Sequence, residues 1–235
     1  MNLAGTELTW LGHAAMRIRL DDGTTLLVDP WLEGNPACPE SEYRQDRVDA
    51  IFVTHGHFDH MGNTVELARA SGAPVFSIHE ISVYLNGLGL EQASGSNKGG
   101  MISCPGGVHA TLTDAVHSSG ISGDQGIIPG GEAAGWLLDI PDGPTIYHAG
   151  DTTAFGDMRL IAEIYGPDIA MLPIGGYYTM GPGIAAKAAR MLGVSTVIPI
   201  HYGTFPILSG TPDQLAASSE RAFEVVTLEP GVPRT

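Results

Sequence analysis

Residues 54–60 read Thr-His-Gly-His-Phe-Asp-His, a His-x-His-x-Asp-His cluster that opens where an apolar run ends. The run, residues 49–54 (DAIFVT), is short and uninterrupted, as in a strand buried on both faces. Histidine is costly to bury without partners in either charge state, so three imidazoles and a carboxylate this close together make poor core. Imidazole and carboxylate are also the usual ligands of zinc. His55, His57, Asp59 and His60 therefore read as metal ligands on a loop at a strand's carboxyl end. Loops held by a rigid scaffold commonly carry function. Residues 61–71 then read as a helix, with Val65, Leu67, Ala68 and Ala70 apolar and Gly72 ending it. Isolated histidines such as His79 and His109 read as ordinary surface or core residues.

Four ligands cannot complete two metal shells, and matching contexts occur downstream. His117 ends one strand-like run (DAVHSS), Asp151 another (IYHAGDT) and His201 a third (VIPIHYGT). Each sits where a β-run meets glycine or small polar residues, the place where sites collect in layered α/β sheets.

Outward from these points, residues 7–11, 14–20 and 24–29 read as strands, with Asp21-Asp22-Gly23 as a hairpin turn. Residues 74–78, 108–116, 134–140, 145–148, 168–172 and 196–200 read as further strands, and 224–228 as a final one. Residues 80–88, 184–192 and 213–222 read as helices. The glycine-rich stretches 94–107 and 118–131 read as loops. Early hairpins followed by alternating strands and helices predict an α/β arrangement of sheets covered by helices. Residues 1–235 are expected to form a single domain.

Composition narrows the function. The formal net charge is −15, with only two lysines, Lys98 and Lys187, and no basic run. Such a field repels phosphate backbones, so no nucleic-acid partner is expected. No run approaches the roughly 18 apolar residues of a membrane span, and no basic-then-apolar leader opens the chain. A cytoplasmic location follows by default. Cys38 and Cys104, the only cysteines, lack CxxC spacing and leave a single bridge open. Hydrophobic content of 43% against 16% charged residues, with 32 glycines, describes a globular, loop-rich chain.

With these residues in place, the chain resembles the metallo-β-lactamase superfamily, over nearly its full length. The motifs TWLGHA at 9–14, LVDPWL at 27–32, NKGG at 97–100, YHAGDT at 147–152, PIGGYYTMGP at 173–182 and PIHYGTFP at 199–206 point to one branch. That branch holds small metal-dependent hydrolases similar to ascorbate-phosphate lactonases and, more distantly, to a phospholipase D acting on N-acyl-phosphatidylethanolamine. The resemblance implies a four-layer αββα sandwich with the site at one edge. It implies that His55, His57 and His117 hold one metal, that Asp59, His60 and His201 hold a second, and that Asp151 bridges them. Close relatives often carry His in the loop where this chain has Tyr177, which sets that loop apart.

The expected chemistry is hydrolysis of a small-molecule ester or lactone, phosphorylated or not, by a hydroxide shared between two divalent metals. Zinc is the first choice; the ligand mixture also suits manganese, iron or nickel. Asp59 is expected to orient the hydroxide. His13, His148, Tyr177 and Tyr202 are the candidate proton donors. For His13 and His148, hydrogen bonds that orient ligands are the plainer role. Asp29 could accept from a ligand imidazole or cap a turn, and Lys98 is the best isolated cation for an anionic substrate. The rivals are a small-molecule or lipid phosphodiesterase on the same fold and a metal-binding protein without turnover. β-Lactam hydrolysis has no support beyond the superfamily name, since a fold does not specify a substrate. Apolar, glycine-rich loops leave a homo-oligomer open.

Overall fold

The structure is a computed structural model and describes residues 1–123 and 126–235. An antiparallel meander opens it: β1 (Glu7–Trp10), β2 (Met16–Arg19) and β3 (Thr25–Val28). β4 (Ala50–Phe52), β5 (Val75–Ile78) and β6 (Ala93–Ser96) add in parallel, so the first sheet has six strands in chain order. α1 (Phe58–Met61) and α2 (Thr64–Ser71) join β4 to β5, and α3 (His79–Gly87) joins β5 to β6.

β7 (Met101–Ser103) and β8 (His109–Asp114) begin a second sheet. β9 (Gly120–Gly123) and β10 (Gly126–Pro129) then form a separate antiparallel ribbon. β11 (Ala134–Asp139), β12 (Thr145–His148), β13 (Ile169–Pro173), β14 (Thr196–Ile200) and β15 (Glu224–Val225) complete the second sheet. Its order is β15-β14-β13-β12-β11-β8-β7, parallel from β12 to β15. α4 (Met158–Tyr165), α5 (Pro182–Leu192) and α6 (Pro212–Ser219) cover its outer face.

The period-two alternation of β11 shows how the layers are made. Trp136 and Leu138 join the core between the sheets, while Leu137 joins the core under the outer helices. Trp136 packs edge-on against Phe52 of β4, ring centroids 5.1 Å apart, and its indole N–H donates to the Val53 carbonyl at 3.1 Å. On the other side, Ala185, Ala186, Ala188 and Ala189 of α5 are fully buried, and their small side chains let the helix lie close to the sheet. The expected αββα sandwich is what forms.

Three local readings are corrected. The predicted loop over 94–107 carries most of β6 and all of β7. Its strands are short and exposed and read as glycine- and serine-rich. The predicted loop over 118–131 holds the β9–β10 ribbon, with residues 124–125 outside the described part. The predicted helix over 61–71 is two pieces, and Asp59 and His60 lie on the first of them rather than on a loop. The break is steric. Gly62 has φ 32°, and a Cβ there would collide with Trp31. α4 was not anticipated, although Met158, Ile161 and Tyr165 recur at helical spacing; Met158 and Ile161 are buried, while Leu160 and Ile164 remain exposed. Among the described residues no helix is long and apolar enough to cross a membrane.

Candidate metal centre

β1, β3, β4, β8, β12 and β14 all end at one edge of the sandwich, and the predicted site residues follow them there. His13 lies in the turn after β1, Asp29 directly after β3, and His55 and His57 after β4. His117 follows β8, Asp151 follows β12 and His201 follows β14. His55, His60, Asp151 and His201 are buried, and His57, Asp59 and His117 half-buried.

The donor atoms gather in overlapping groups, each within 4.8 Å: His55, His57 and His117; His55, His60 and Asp151; His13, Asp59, His60 and His201. Zinc bound by nitrogens at about 2.0–2.1 Å in a tetrahedron separates neighbouring donors by about 3.3 Å. His55 Nε2 and His57 Nδ1 are 2.9 Å apart. Asp151 faces both sides, with Oδ1 3.3 Å from His60 Nε2 and Oδ2 3.6 Å from His117 Nε2 and 3.0 Å from His201 Nε2. His60 Nε2, His201 Nε2 and Asp151 Oδ1 are buried without a hydrogen-bond partner. Buried polar atoms are normally satisfied, so such a convergence fits cations that would sit between these atoms.

Surrounding hydrogen bonds aim these rings. Buried Asp29 accepts from His60 Nδ1–H at 2.7 Å, from the Thr54 hydroxyl at 2.6 Å and from Thr54 N–H at 2.8 Å. The Thr54 oxygen in turn lies 3.0 Å from His55 Nδ1. One carboxylate thus leaves Nε2 of both His55 and His60 free to ligate, the usual arrangement behind metal-binding histidines. Ser118 Oγ, 3.3 Å from His57 Nε2, does the same for His57 Nδ1. Asp29 therefore accepts from a ligand-type imidazole, one of the two roles read for it. Thr54 and Ser118 escaped sequence reading, although each directly adjoins a cluster histidine.

His13 is drawn in more closely than expected. Its Nε2–H donates to Asp59 Oδ2 at 3.0 Å, and Nδ1 lies 2.9 Å from the Thr204 hydroxyl. Its carbonyl accepts from His201 N–H at 2.8 Å and from the Trp10 indole at 2.9 Å. These bonds hold His13 and His201 at φ 54° and 53°, and Asp29 stands at φ 48°. Non-glycine residues with positive φ cost about 1–3 kcal/mol each and cluster at functional sites. Burial lowers the His13 pKa to about 4 against the opposing bond to Asp59, so the ring is neutral. Burial also pushes the Asp59 carboxyl up, but the hydrogen bond from His13 and the His201 ring 3.7 Å away hold it well below the usual carboxylate range.

Four other candidates do not line the cavity beside these donors. His148 is fully buried, its Nε2–H donating to Ala14 O at 2.9 Å and its Nδ1 accepting from Gly150 N–H at 3.2 Å. Both nitrogens are engaged by backbone, so it braces two loops and has no proton to offer. Tyr202 stacks on Trp10, ring centroids 5.2 Å apart, and does not line the cavity. Lys98 is held by Asp114 and, at 2.8 Å, by Glu132, so it is not a free cation for a substrate. Tyr177 is 73% exposed, and it is Tyr178 that reaches the cavity wall. Cys38 and Cys104 are both free, buried thiols.

Residues 24–202 match the model of the beta-lactamase superfamily domain. A UPF0173 metal-dependent hydrolase of Koribacter versatilis is 46% identical over 231 residues, 98% of each chain. Another, of Methanopyrus kandleri, is 44% identical over 228 residues, 96% of this chain and 97% of its own. The solved structure of Igni18, a metallo hydrolase of Ignicoccus hospitalis, superposes with a TM-score of 0.85 at 37% identity, covering 97% of both chains. Sequence motif, sandwich and relatives agree: the chain belongs to the metallo-β-lactamase superfamily, among its UPF0173 metal-dependent hydrolases.

Proposed function

We propose that residues 1–235 form one domain with a single dinuclear centre that hydrolyses a small ester or lactone. His55, His57 and His117 would hold one metal, Asp59, His60 and His201 the other, and Asp151 would lie between them. The observation that carries this is the meeting of His60 Nε2, His201 Nε2 and Asp151 Oδ1 in the protein interior without hydrogen bonds. Two divalent ions, zinc first and manganese, iron or nickel next, would activate water and polarise the scissile carbonyl.

The chain's own residues do the rest. Neutral His13 holds the Asp59 carboxylate by one oxygen, with Thr204 fixing the ring from behind. Asp59 stays ionised and faces the cavity, so it can orient a water by accepting its hydrogen bond. Asp29 keeps His55 and His60 in the ligating tautomer.

The test is elemental analysis of protein purified without added metal, with an ester, lactone and phosphodiester panel run on the same sample. About two metals per chain and turnover of an ester or lactone are expected. Phosphodiester turnover alone would replace this reaction with its rival. Folded Asp151→Ala protein should hold less metal; a full complement there would sink the bridging role.

A further inference from the structure

The metal edge opens into a cavity of about 640 Å³. Its walls beyond the metal-type residues are Phe58, Tyr178, Phe205 and Ile207, with the hydroxyls of Ser118 and Ser122 between them. None of the eleven Lys and Arg side chains lines it. We propose that this cavity takes an uncharged ester or lactone carrying an aromatic or branched aliphatic group, and disfavours substrates with an anionic arm. The inference rests on the hydrolytic reading above and names its substrate class.

The apolar wall is built rather than incidental. Trp31, buried beneath it, stacks on Phe205 with ring centroids 5.9 Å apart and meets Phe58 edge-on at 5.5 Å. His13, which holds Asp59, also packs edge-on against Trp31 at 5.3 Å and against Phe205 at 5.8 Å. The aromatic cluster therefore runs from the reacting carboxylate to the cavity mouth. There Phe58 is 58% exposed, Tyr178 60% and Ile207 42%. Contiguous apolar surface of this kind beside a reacting edge marks a binding site. A ring on the substrate would bury roughly 150–250 Å² of its own surface.

Charge points the same way. Recognition of a phosphoryl or carboxylate arm away from the scissile bond calls for Arg forks, Lys or a row of backbone N–H groups. Lys98, the one cation the sequence suggested for this task, is held by Asp114 and Glu132 outside the cavity. A net charge of −15 adds a general repulsion for anions.

The experiment uses the metal-loaded chain and γ-butyrolactones bearing a phenyl, methyl, sulfomethyl or phosphooxymethyl group at the γ position. The sulfonate supplies an anionic arm that competes poorly for metal. We expect kcat/KM for the phenyl lactone to exceed the methyl one by about tenfold or more, the scale on which apolar pockets discriminate. Both anionic lactones should fall below the methyl one. Ile207→Arg, a change at an exposed rim position, should narrow the phenyl-to-sulfomethyl ratio by about tenfold. An anionic lactone turned over as well as the phenyl one, or an unchanged ratio in Ile207→Arg, would overturn the proposal. Calorimetric titration with the matching tetrahydrofurans, which have no bond to cleave, separates the two readings. Tighter binding of the phenyl ether with no lactone turned over would remove the hydrolytic reading and leave the cavity assignment standing. Equal binding of phenyl and sulfomethyl ethers would overturn the cavity assignment itself.

Discussion

Asp29→Asn replaces one carboxylate oxygen by NH₂ and should weaken metal binding at His60. The Asp29 carboxylate is fully buried and accepts three hydrogen bonds, from Thr54 N–H, the Thr54 hydroxyl and His60 Nδ1–H. Asparagine keeps one acceptor oxygen, which Thr54 N–H can retain. Its NH₂ then faces the Thr54 hydroxyl, which can turn to accept, and His60 Nδ1–H, where donor meets donor. The simplest relief moves the His60 proton to Nε2, the nitrogen that would hold the proposed second metal. Loss of such a partner lowers metal affinity by about 10–100-fold, or about 1.4–2.7 kcal/mol. The metal-free protein also suffers, because the Asp151 and Asp29 charges outweigh burial and raise the His60 pKa well above its ordinary value. Removing one partner of a buried pair costs about 3–5 kcal/mol. For a chain of this size each kcal/mol shifts Tm by about 2–4 °C, so a fall of roughly 6–20 °C is expected. Chelator competition measures the first quantity and a metal-free melt the second. A folded Asp29→Asn protein that binds its second metal with unchanged affinity would refute the reasoning.

Metal uptake should release protons. Burial opposes charge on His201, but the Asp151 carboxylate overcomes it and raises the pKa from 6.5 to about 9, and His60 is raised further by Asp151 and Asp29. Both rings are therefore protonated in the metal-free protein at pH 7.5 and must lose a proton to ligate. Calorimetry in buffers of different ionisation enthalpy should report close to two protons per chain; none would count against this ligand set. The same shift has a stability sign. A raised histidine pKa contributes stability that is complete below pH 6.5 and is lost as pH rises through 9, so the metal-free chain should melt lower at pH 9.5 than at pH 6. His148→Ala would strand the buried Ala14 carbonyl and Gly150 N–H, and urea unfolding should show a loss of about 2–4 kcal/mol; a change under about 1 kcal/mol would show that it does not brace these loops. Gly150→Ala sets a Cβ at φ 59°, 2.8 Å from both Ala134 O and Thr54 Cβ. Overpacking of about 1–3 kcal/mol and displacement of Asp151 should lower metal content, which elemental analysis would detect.

Much was legible in the sequence because it was local. The seven metal-type residues were readable because four crowd into residues 55–60 just after β4 and His117, Asp151 and His201 each follow another β-run, and strand ends sharing a direction must emerge at one edge of a sheet. The layering was readable because buried strands and amphipathic helices declare themselves by period. α4 was legible too, since Met158, Ile161 and Tyr165 recur at helical spacing, but it was not read. The ribbon of β9 and β10 was hidden by Gly120, Gly123 and Gly126, which read as loop.

What only the tertiary structure decided is which side chains share a neighbourhood. His13 and His148 looked alike, each a histidine near a strand end. One is bonded to Asp59, 46 residues away, and the other to the backbone of Ala14, 134 residues away. The same holds for Lys98, spent on Asp114 and Glu132, and for Trp31, Phe58 and Phe205, which converge on one wall. Residue type and spacing establish what chemistry a chain can perform. Hydrogen-bond partners, burial and the lining of a cavity arise between segments far apart in sequence, and these set the protonation of each group and what can approach it.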